Sequence, residues 1–452
     1  MKLNRSRKFA IAAVAALPLV SLVGFRNVSV HSKIVNLSIL MEQGTPPATT
    51  LNFLHKVVAG FEKIHPNIRV SISTYPSSAT STKIDTMIAS HRGPNVFEIG
   101  TTFIPTLTAS GAFVPWTRAM LQAVKVRDLV PAATKMDGIP GHLPIGIPDS
   151  ASPFVLWYNK AMFKVANITR PPKTWAQFIK DARVLTHPKK GVWGAAIAPA
   201  DPFYSMHLTW LLSRQNGGQV INPQGTKALF ASAPVKRVVQ FYVNWMKTFK
   251  IVNTADAQYQ EADMITAFMN GKAAMVPVGG LYDLPELKTA PAFLAKKVGV
   301  APNPVIPYGD KTTPSKGIPT QSFVSGQEQV IFKYASSPQQ VSAAVQWIKY
   351  YTSARSQVLM WKMYGDLPVN AAAYKAPGLQ TPLWRSFESI EQHASPTPKV
   401  AGWLDLPTVY DKNLSTVFDN VALGHYRKGE LTHVLTSTDQ QIDSTLQGLK
   451  AP

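Results

Sequence analysis

The first hundred residues alternate apolar runs with amphipathic segments, and this alternation limits the fold more than any other feature of the chain. Residues 34–40 form an apolar run typical of a buried strand, and residues 50–65 place apolar side chains at helical spacing until Pro66. Residues 68–72 form a second strand-like run. A strand, a helix and a strand in this order normally give two parallel strands joined by a right-handed crossover, so an α/β fold is predicted.

The same alternation continues beyond the opening unit. Residues 81–90 are predicted to form a helix and residues 95–99 a short strand. The chain has 452 residues, of which 45% are hydrophobic, and this exceeds what one small core needs. The hydrophobic content is ample for two lobes of ordinary globular size.

The N-terminal segment differs in composition from the rest. Four basic residues precede an apolar run at residues 9–25, which is close to the lower length limit for a membrane span. Residues 1–32 are therefore predicted to be a signal peptide or, alternatively, a retained N-terminal anchor, and the cleavage site stays open. The rest is expected to be exported, to the periplasm or the outer face of the cytoplasmic membrane.

Charge and cysteine content narrow the possible partners. The chain has 46 lysines and arginines against 25 acidic residues, a formal charge of +21, and no cysteine. Disulfides, thiolate metal sites and a lipid-modified cysteine tether are therefore excluded. The basic residues are scattered rather than clustered with aromatic residues, so no nucleic-acid partner is predicted. The basic excess fits acidic surroundings, or attraction to an anionic envelope or solute.

Common catalytic motifs are absent from the sequence. It contains no HExxH, GxSxG, Ser-x-x-Lys or GxxxxGK[ST] pattern, and its ten histidines lack metal-ligand spacing. The chain is therefore predicted not to be an enzyme and to need no cofactor or metal. A secreted glycosidase, which needs only two carboxylates, is a distant alternative.

Several longer motifs follow one another along the chain. They are FEKIHPNI at residues 61–68, YNKAMF at 158–163, PPKTWAQF at 171–178, FMNGKAAM at 268–275 and GGLY at 279–282. This ordered set resembles the bacterial extracellular solute-binding proteins of ABC sugar importers, the family that includes maltose-binding proteins. The resemblance implies a class II periplasmic-binding-protein fold with two lobes, and solute capture in the cleft between them.

The resemblance also implies that the chain crosses between the lobes more than once. We expect residues 33–141 and 305–352 to form the first lobe. Residues 142–304 and 353–452 are expected to form the second. The glycine- and proline-rich turn at residues 138–141 is the expected first crossover, since such residues absorb changes of backbone direction.

Candidate ligand contacts follow the predicted strands of the first lobe. Ligands of open parallel sheets bind beyond the carboxyl ends of the strands, and sugar sites combine hydrogen-bonding groups with stacking rings. Glu42 and Gln43 follow the first strand, and Thr101 and Thr102 follow the strand at residues 95–99. A cap on the following helix is the alternative role for Thr102.

The remaining candidates come from later loops. They are Asp149, Ser150, Tyr158, Tyr204, Gly280, Tyr282, Gln327, Glu328 and Trp403. Tyr282 is the preferred stacking ring, because the two glycines before it let the backbone approach a ligand. Either Trp157 or Tyr158 is expected in the core, since neighbouring strand residues point to opposite faces. Asp149 and Glu328 have alternative roles, as a turn residue and as a solvated strand start.

The predicted mechanism is domain closure on a mono- or oligosaccharide, because a ligand that touches both lobes only when they are closed shifts the population to the closed form. The resemblance implies a monomer that delivers its ligand to ABC permease subunits driven by ATPase subunits. An anionic solute such as glycerol 3-phosphate is the alternative ligand.

Overall fold

The computed structural model describes residues 33–43, 47–76, 79–201, 203–280, 296–307 and 317–448. Within these ranges the strands form one five-stranded sheet and two three-stranded sheets. None of the helices found in this part of the chain is both long and apolar enough to cross a membrane.

The strands of these sheets are numbered in chain order. They are β1 (Val35–Glu42), β2 (Ile68–Tyr75), β3 (Val96–Gly100), β4 (Gly146–Pro148), β5 (Ser152–Pro153), β6 (Val155–Asn159), β7 (Met275–Gly279), β8 (Val298–Ala301), β9 (Phe323–Ser325), β10 (Gln327–Ile331) and β11 (Ser395–Pro396).

Helices separate most of these strands. They are α1 (Pro47–Ile64), α2 (Thr80–Ser90), α3 (Ile104–Ser110), α4 (Arg118–Ala123), α5 (Pro131–Met136), α6 (Lys160–Val165), α7 (Trp175–Leu185), α8 (Tyr204–Gln215), α9 (Ala233–Lys247), α10 (Glu261–Met269), α11 (Pro338–Tyr351), α12 (Ala354–Tyr364), α13 (Pro382–Gln392), α14 (Asp405–Ala422) and α15 (Glu430–Gly448).

The five-stranded sheet contains the predicted opening unit. Its order is β2-β1-β3-β10-β4, and β1 pairs in parallel with both β2 and β3, which confirms the predicted strand–helix–strand start. β10 runs antiparallel between β3 and β4. Leu37 and Ile39 of β1 and Phe61 of α1 are buried together in the core of this layer.

The second sheet has β6 at its centre. β7 and β8 flank β6, and both run antiparallel to it. Trp157 of β6 is fully buried, whereas Tyr158 is partly exposed, so the predicted alternation of this pair is confirmed. Trp175 of α7 packs against Trp245 of α9, with ring centroids 5.5 Å apart, which fixes these helices against each other.

The third sheet joins the other two. β5 lies in sequence between β4 and β6, and β9 immediately precedes β10, so both strands of this pair lead from one large sheet to the other. β9 pairs with β5 on one side and β11 on the other. Pro148 pairs with Glu328, so the chain leaves the five-stranded sheet after residue 148. The turn at residues 138–141, which was the expected first crossover, therefore comes before β4 and before the chain leaves this sheet.

Asn303 connects the second sheet with this junction. It is fully buried, and its Nδ2 donates to the carbonyls of Phe154 and Gln321, each at 3.0 Å. Its Oδ1 accepts from the backbone nitrogen of Val278 at 2.8 Å. One side chain therefore satisfies buried backbone groups of three separate segments.

Asn303→Ala is expected to lower the free energy of unfolding by about 1–3 kcal/mol, because it leaves the buried backbone nitrogen of Val278 without the Asn303 oxygen and removes one donor each from the carbonyls of Phe154 and Gln321. Urea unfolding followed by tryptophan fluorescence measures this change. Asn52→Ala is the matched control, since Asn52 is exposed on α1 and its loss should cost less than about 0.5 kcal/mol. Equal effects of the two substitutions would contradict the role assigned to Asn303.

Candidate functional site

The ends of four strands meet at one edge of the five-stranded sheet. Because β10 is antiparallel to its neighbours, its first residue lies beside the last residues of β3 and β4: Gln327 pairs with Gly100, and Glu328 pairs with Pro148. This register brings the segments that carry Glu42, Thr101, Asp149 and Gln327 to the same edge. The sequence prediction selected all four residues as candidates, but it assigned Asp149 to the second lobe, whereas the strand pairing places it beside Glu328 of the first sheet.

Two of the predicted residues hold the loops of this edge. The backbone nitrogen of Thr101 donates to the Gly326 carbonyl at 2.9 Å, and the Thr101 hydroxyl accepts from the Gly326 nitrogen at 3.3 Å. The Ser150 hydroxyl accepts from the Gln327 nitrogen at 2.9 Å. Both hydroxyl residues are buried, so they order the loops around Gln327, whose side chain is partly exposed.

Asp149 belongs to a buried carboxyl pair. It lies beside Glu98, and its Oδ2 accepts from Nε2 of Gln329 at 2.8 Å, while Oε2 of Glu98 accepts from the backbone nitrogen of Glu42 at 2.8 Å. Burial raises the pKa of Asp149 to about 6. Burial and the adjacent Asp149 raise the pKa of Glu98. The pair is therefore most stable when it holds a proton.

Glu42 and Gln43 lie beside this pair, at the end of β1. Both are partly exposed, and the backbone nitrogen of Gln43 continues the ladder by donating to the Tyr75 carbonyl at 2.7 Å. Burial raises the pKa of Glu42, and a hydrogen bond from the Gln327 side chain opposes that rise. Glu42, Gln43 and Gln327 therefore keep side chains that a ligand can reach at this edge.

Glu328 forms a second buried pair, with Asp137. It is 0% exposed, so the structure places this predicted ligand contact inside the protein. Its carboxyl group faces that of Asp137 and hydrogen-bonds to it when one of the two is protonated. Gly146 gives it room, since a Cβ there would lie 2.5 Å from Oε2 of Glu328. Burial and the neighbouring Asp137 raise the pKa of Glu328.

Lys399 approaches this pair from the segment after β11. Its Nζ donates to the backbone carbonyl of Asp137 at 2.5 Å. Burial raises the pKa of Asp137 to about 7, and the Lys399 ammonium opposes the rise. Sequence reasoning missed both residues, because no local pattern shows that positions 137, 328 and 399 meet.

A small cavity lies next to Lys399. Thr101 and Thr102 line it from the five-stranded sheet, and Val324, Pro396 and Lys399 line it from the crossing segments. The predicted threonines therefore face a space between the strand ends and the junction. Thr102 is the more accessible of the two.

A cluster of buried aromatic rings lies at the junction of the sheets. The rings of Phe154 and Phe323 stack with their centroids 3.8 Å apart, and the imidazole of His207 also stacks on Phe323, at 4.2 Å. The ring of Trp403 lies 6.3 Å from that of His207 and is 2% exposed. Burial lowers the pKa of His207 to about 4, so its imidazole is neutral at ordinary pH. His207 is another residue that sequence reasoning did not select.

The predicted ring of Tyr204 belongs to the core. Tyr204 is 3% exposed, and its hydroxyl donates to the Pro277 carbonyl at 3.0 Å. Its neighbour Phe203 is 50% exposed. The helical rotation between adjacent residues explains this difference, since α8 turns Tyr204 inward. Phe203 is therefore the accessible ring of this loop.

Tyr158 and Gly280 lie at opposite ends of the second sheet. Tyr158 pairs with Met275 at the start of β7, whereas Val155 pairs with Gly279 at its end. Gly280 therefore lies near the junction and is buried, while Tyr158 lies at the far end of the sheet, where its ring contacts Phe163. Tyr282 lies outside the described residues.

The segment around Trp403 also touches the first sheet's layer. Residues Ala401–Leu404 form a short 3-10 helix that packs against α3 and the 3-10 turn Thr101–Phe103. The Thr106 hydroxyl of α3 donates to the Ala401 carbonyl at 2.9 Å. The 3-10 helix Ala401–Leu404, which leads directly into α14, is therefore in contact with the loop that follows β3.

These features define a two-lobed α/β protein whose lobes are joined by paired extended segments. The chain belongs to the bacterial extracellular solute-binding proteins, whose family model matches residues 47–358. The predicted fold class and family are thereby confirmed. Proteins of this family bind solutes and act outside the cytoplasm.

Similar proteins cover most of the chain. The solved structure of the sugar-binding protein MalE from Xanthomonas citri has a TM-score of 0.74 and 21% identity, covering 92% of this chain and 98% of that one. The candidate ABC transporter periplasmic-binding protein YcjN of Escherichia coli K12 is 22% identical over 87% of this chain and 89% of its own. The sn-glycerol-3-phosphate-binding periplasmic protein UgpB of Brucella melitensis is 24% identical over 70% of this chain and 72% of its own.

The carboxyl pairs predict a stability that falls as pH rises. Their folded-state pKa values are raised, so their stabilising contribution is complete below about pH 4 and is lost as pH rises through the values near 6 and 7 of Asp149 and Asp137. We expect the free energy of unfolding to fall by on the order of 2 kcal/mol between pH 5 and pH 8. Urea unfolding at the two pH values measures this change.

Asp149→Asn should reduce this pH dependence, because an amide keeps the hydrogen-bonding shape and does not titrate. Asp128→Asn is the matched control, since Asp128 is exposed. A wild-type protein that is equally stable at both pH values, or a control that changes the slope as much as Asp149→Asn does, would contradict the assignment.

Proposed function

We propose that this protein captures a neutral carbohydrate, a mono- or oligosaccharide, between its two lobes and delivers it unaltered to an ABC permease. The single observation that carries the proposal is the site's position where the strand ends face the junction of the crossing segments. A ligand bound there touches both lobes, so it favours the closed arrangement. Binding therefore needs no catalytic group and no cofactor.

The charges around the site favour a neutral ligand. Glu42 and the Glu98–Asp149 pair make the edge of the first sheet acidic. Lys399 lies in the cavity, but its Nζ bonds to the Asp137 carbonyl and faces the Asp137–Glu328 pair. Its charge is therefore compensated, and the accessible carboxyl group at this edge is that of Glu42, which would disfavour an anionic ligand. The fold shared with the sugar-binding MalE of Xanthomonas citri agrees with this choice.

Glycerol 3-phosphate is the second candidate ligand. The 24% identity to UgpB of Brucella melitensis over 70% of this chain favours it. For this ligand to bind, Lys399 would have to exchange its present partners for a phosphate. A secreted glycosidase has no comparable support.

We assign the lobes from the packing around each large sheet. Residues 33–148 and 327–370 belong to the first lobe, since the Val130 nitrogen donates to the Val369 carbonyl at 2.7 Å and Ala151 forms a bridge with Leu367. The segments 155–322 and 397–448 belong to the second lobe, and both assignments refer only to the residues of these ranges that the structure describes. This division moves residues 142–148 and 353–370 to the first lobe, compared with the sequence-based expectation, and residues 305–322 to the second.

Export and docking complete the proposal. Residues 1–32 act as a signal peptide or N-terminal anchor, and the protein works as a monomer in the periplasm or at the outer face of the cytoplasmic membrane. Permease subunits receive the closed, loaded form, and ATPase subunits supply the energy for transport.

A ligand screen by thermal shift tests the choice of solute. We expect one or more neutral sugars, from glucose to maltotriose, to raise the melting temperature by several degrees at millimolar concentration, since a ligand at 100 times its Kd stabilises by about 2.7 kcal/mol. Glycerol 3-phosphate should give no shift at the same concentration. A shift with glycerol 3-phosphate alone would replace the carbohydrate with the anionic candidate, and released reaction products would end the binding-only proposal.

Phe203→Ala should weaken binding of the best sugar by about 1 kcal/mol, roughly fivefold, because it removes the accessible ring beside α8. Isothermal titration calorimetry measures this change. Tyr334→Ala is the matched control, since Tyr334 is also an exposed ring, 46% accessible, but stacks on His91 in the first lobe. Unchanged affinity in Phe203→Ala, or equal loss in both variants, would remove Phe203 from the site.

A further inference from the structure

The second lobe carries an uneven distribution of charge. Between residues 160 and 191 there are eight lysines and arginines and a single acidic residue, Asp181. Asp181 is partly buried on α7, next to Lys180, and burial raises its pKa. The local excess of positive charge is therefore hardly offset within this segment.

The basic side chains of this region form a continuous surface, which we call the basic ridge. Its members are exposed lysines and arginines from four segments: Lys180, Arg183, Lys189, Lys190, Lys250 and Lys272. None of them makes an ion pair within the part of the chain that the structure describes, where the one such pair joins Arg127 and Asp128.

Contacts between the segments show that the ridge is continuous. Lys180 and Arg183 lie three positions apart on α7 and share a face. The Arg183 guanidinium lies 5.2 Å from the ring centroid of Phe249, which places Lys250 next to α7. The turn after α7 ends at Gly191, where a Cβ would lie 3.9 Å from Nζ of Lys272.

An apolar side chain lies within the ridge. Val184 follows Arg183 on α7 and is 49% exposed. A soluble polyanion offers a valine no apolar environment, whereas the interface of a lipid bilayer offers both phosphate groups and acyl chains. The mixture of cations and an exposed valine therefore fits a bilayer surface better than a polymer of charges.

We propose that the basic ridge docks this protein on the anionic phospholipid surface of the cytoplasmic membrane. Each lysine or arginine near such a surface contributes attraction that salt screens. Docking by the second lobe would keep the exported protein near its permease. It acts through a surface distinct from the strand-end loops, so it stands whether or not the ligand is a carbohydrate.

Vesicle co-sedimentation of the full chain tests this proposal. The probes are phosphatidylglycerol vesicles and, as the uncharged reference, phosphatidylcholine vesicles. K180E/K189E/K272E reverses three ridge charges, and K56E/K63E/K349E makes the same change at exposed lysines of α1 and α11. The ridge variant should lose on the order of 100-fold in affinity for phosphatidylglycerol, the control variant less than tenfold, and ligand binding should persist in both.

Three outcomes would overturn the proposal. Equal losses in the two triple variants would show that only net charge matters. Equal binding of the wild type to both lipids would show that the apolar N-terminal run, not the ridge, makes the contact. Phosphatidylglycerol binding unchanged by V184S, together with equally tight binding to soluble polyphosphate, would assign the ridge to a polyanion. The proposal expects V184S to weaken lipid binding about fivefold.

Discussion

The junction between the two large sheets depends on extended segments that hydrogen-bond to one another. β5 and β9 lead from one sheet to the other and pair side by side, so buried backbone groups are satisfied without a helix or a compact loop. Gly326 allows this close approach, since a Cβ there would lie 2.0 Å from the Ser150 carbonyl oxygen. Under the proposed capture mechanism, these paired strands are where the angle between the lobes would change.

The same junction explains the unusual electrostatics of the protein. Two buried carboxyl pairs, Glu98–Asp149 and Asp137–Glu328, flank β10 within a few residues of the crossing strands. Each pair is favourable only while it holds a proton. The chain as a whole has few acidic residues for its length, 25 in 452, so few carboxylates are left for the surface. A core that retains protons and a surface that avoids carboxylates both fit function in acidic surroundings.

Local sequence patterns predicted the first strands and helices, but they did not predict which distant residues meet in the fold. Helical spacing before Pro66 and the runs on either side of it specify β1, α1 and β2, because periodicity is a local property. The placement of Glu42 and Thr101 at neighbouring strand ends followed from a general rule about parallel sheets, whereas no sequence pattern indicated that Asp149 joins the same sheet edge. Nothing local showed that Glu328 faces inward or that Tyr204 is core while Phe203 is exposed, since one residue of register decides each case.

The central claim is that ligand binding closes the two lobes. The chain has no cysteine, so spin labels can be attached at two introduced cysteines without interference, one at exposed Lys56 on α1 and one at exposed Lys180 on α7. Pulsed electron paramagnetic resonance then measures the distance between the lobes. Domain closure should give a long or broad distance distribution without ligand and a single shorter distance with saturating ligand. Identical distributions in both conditions would contradict capture by domain closure.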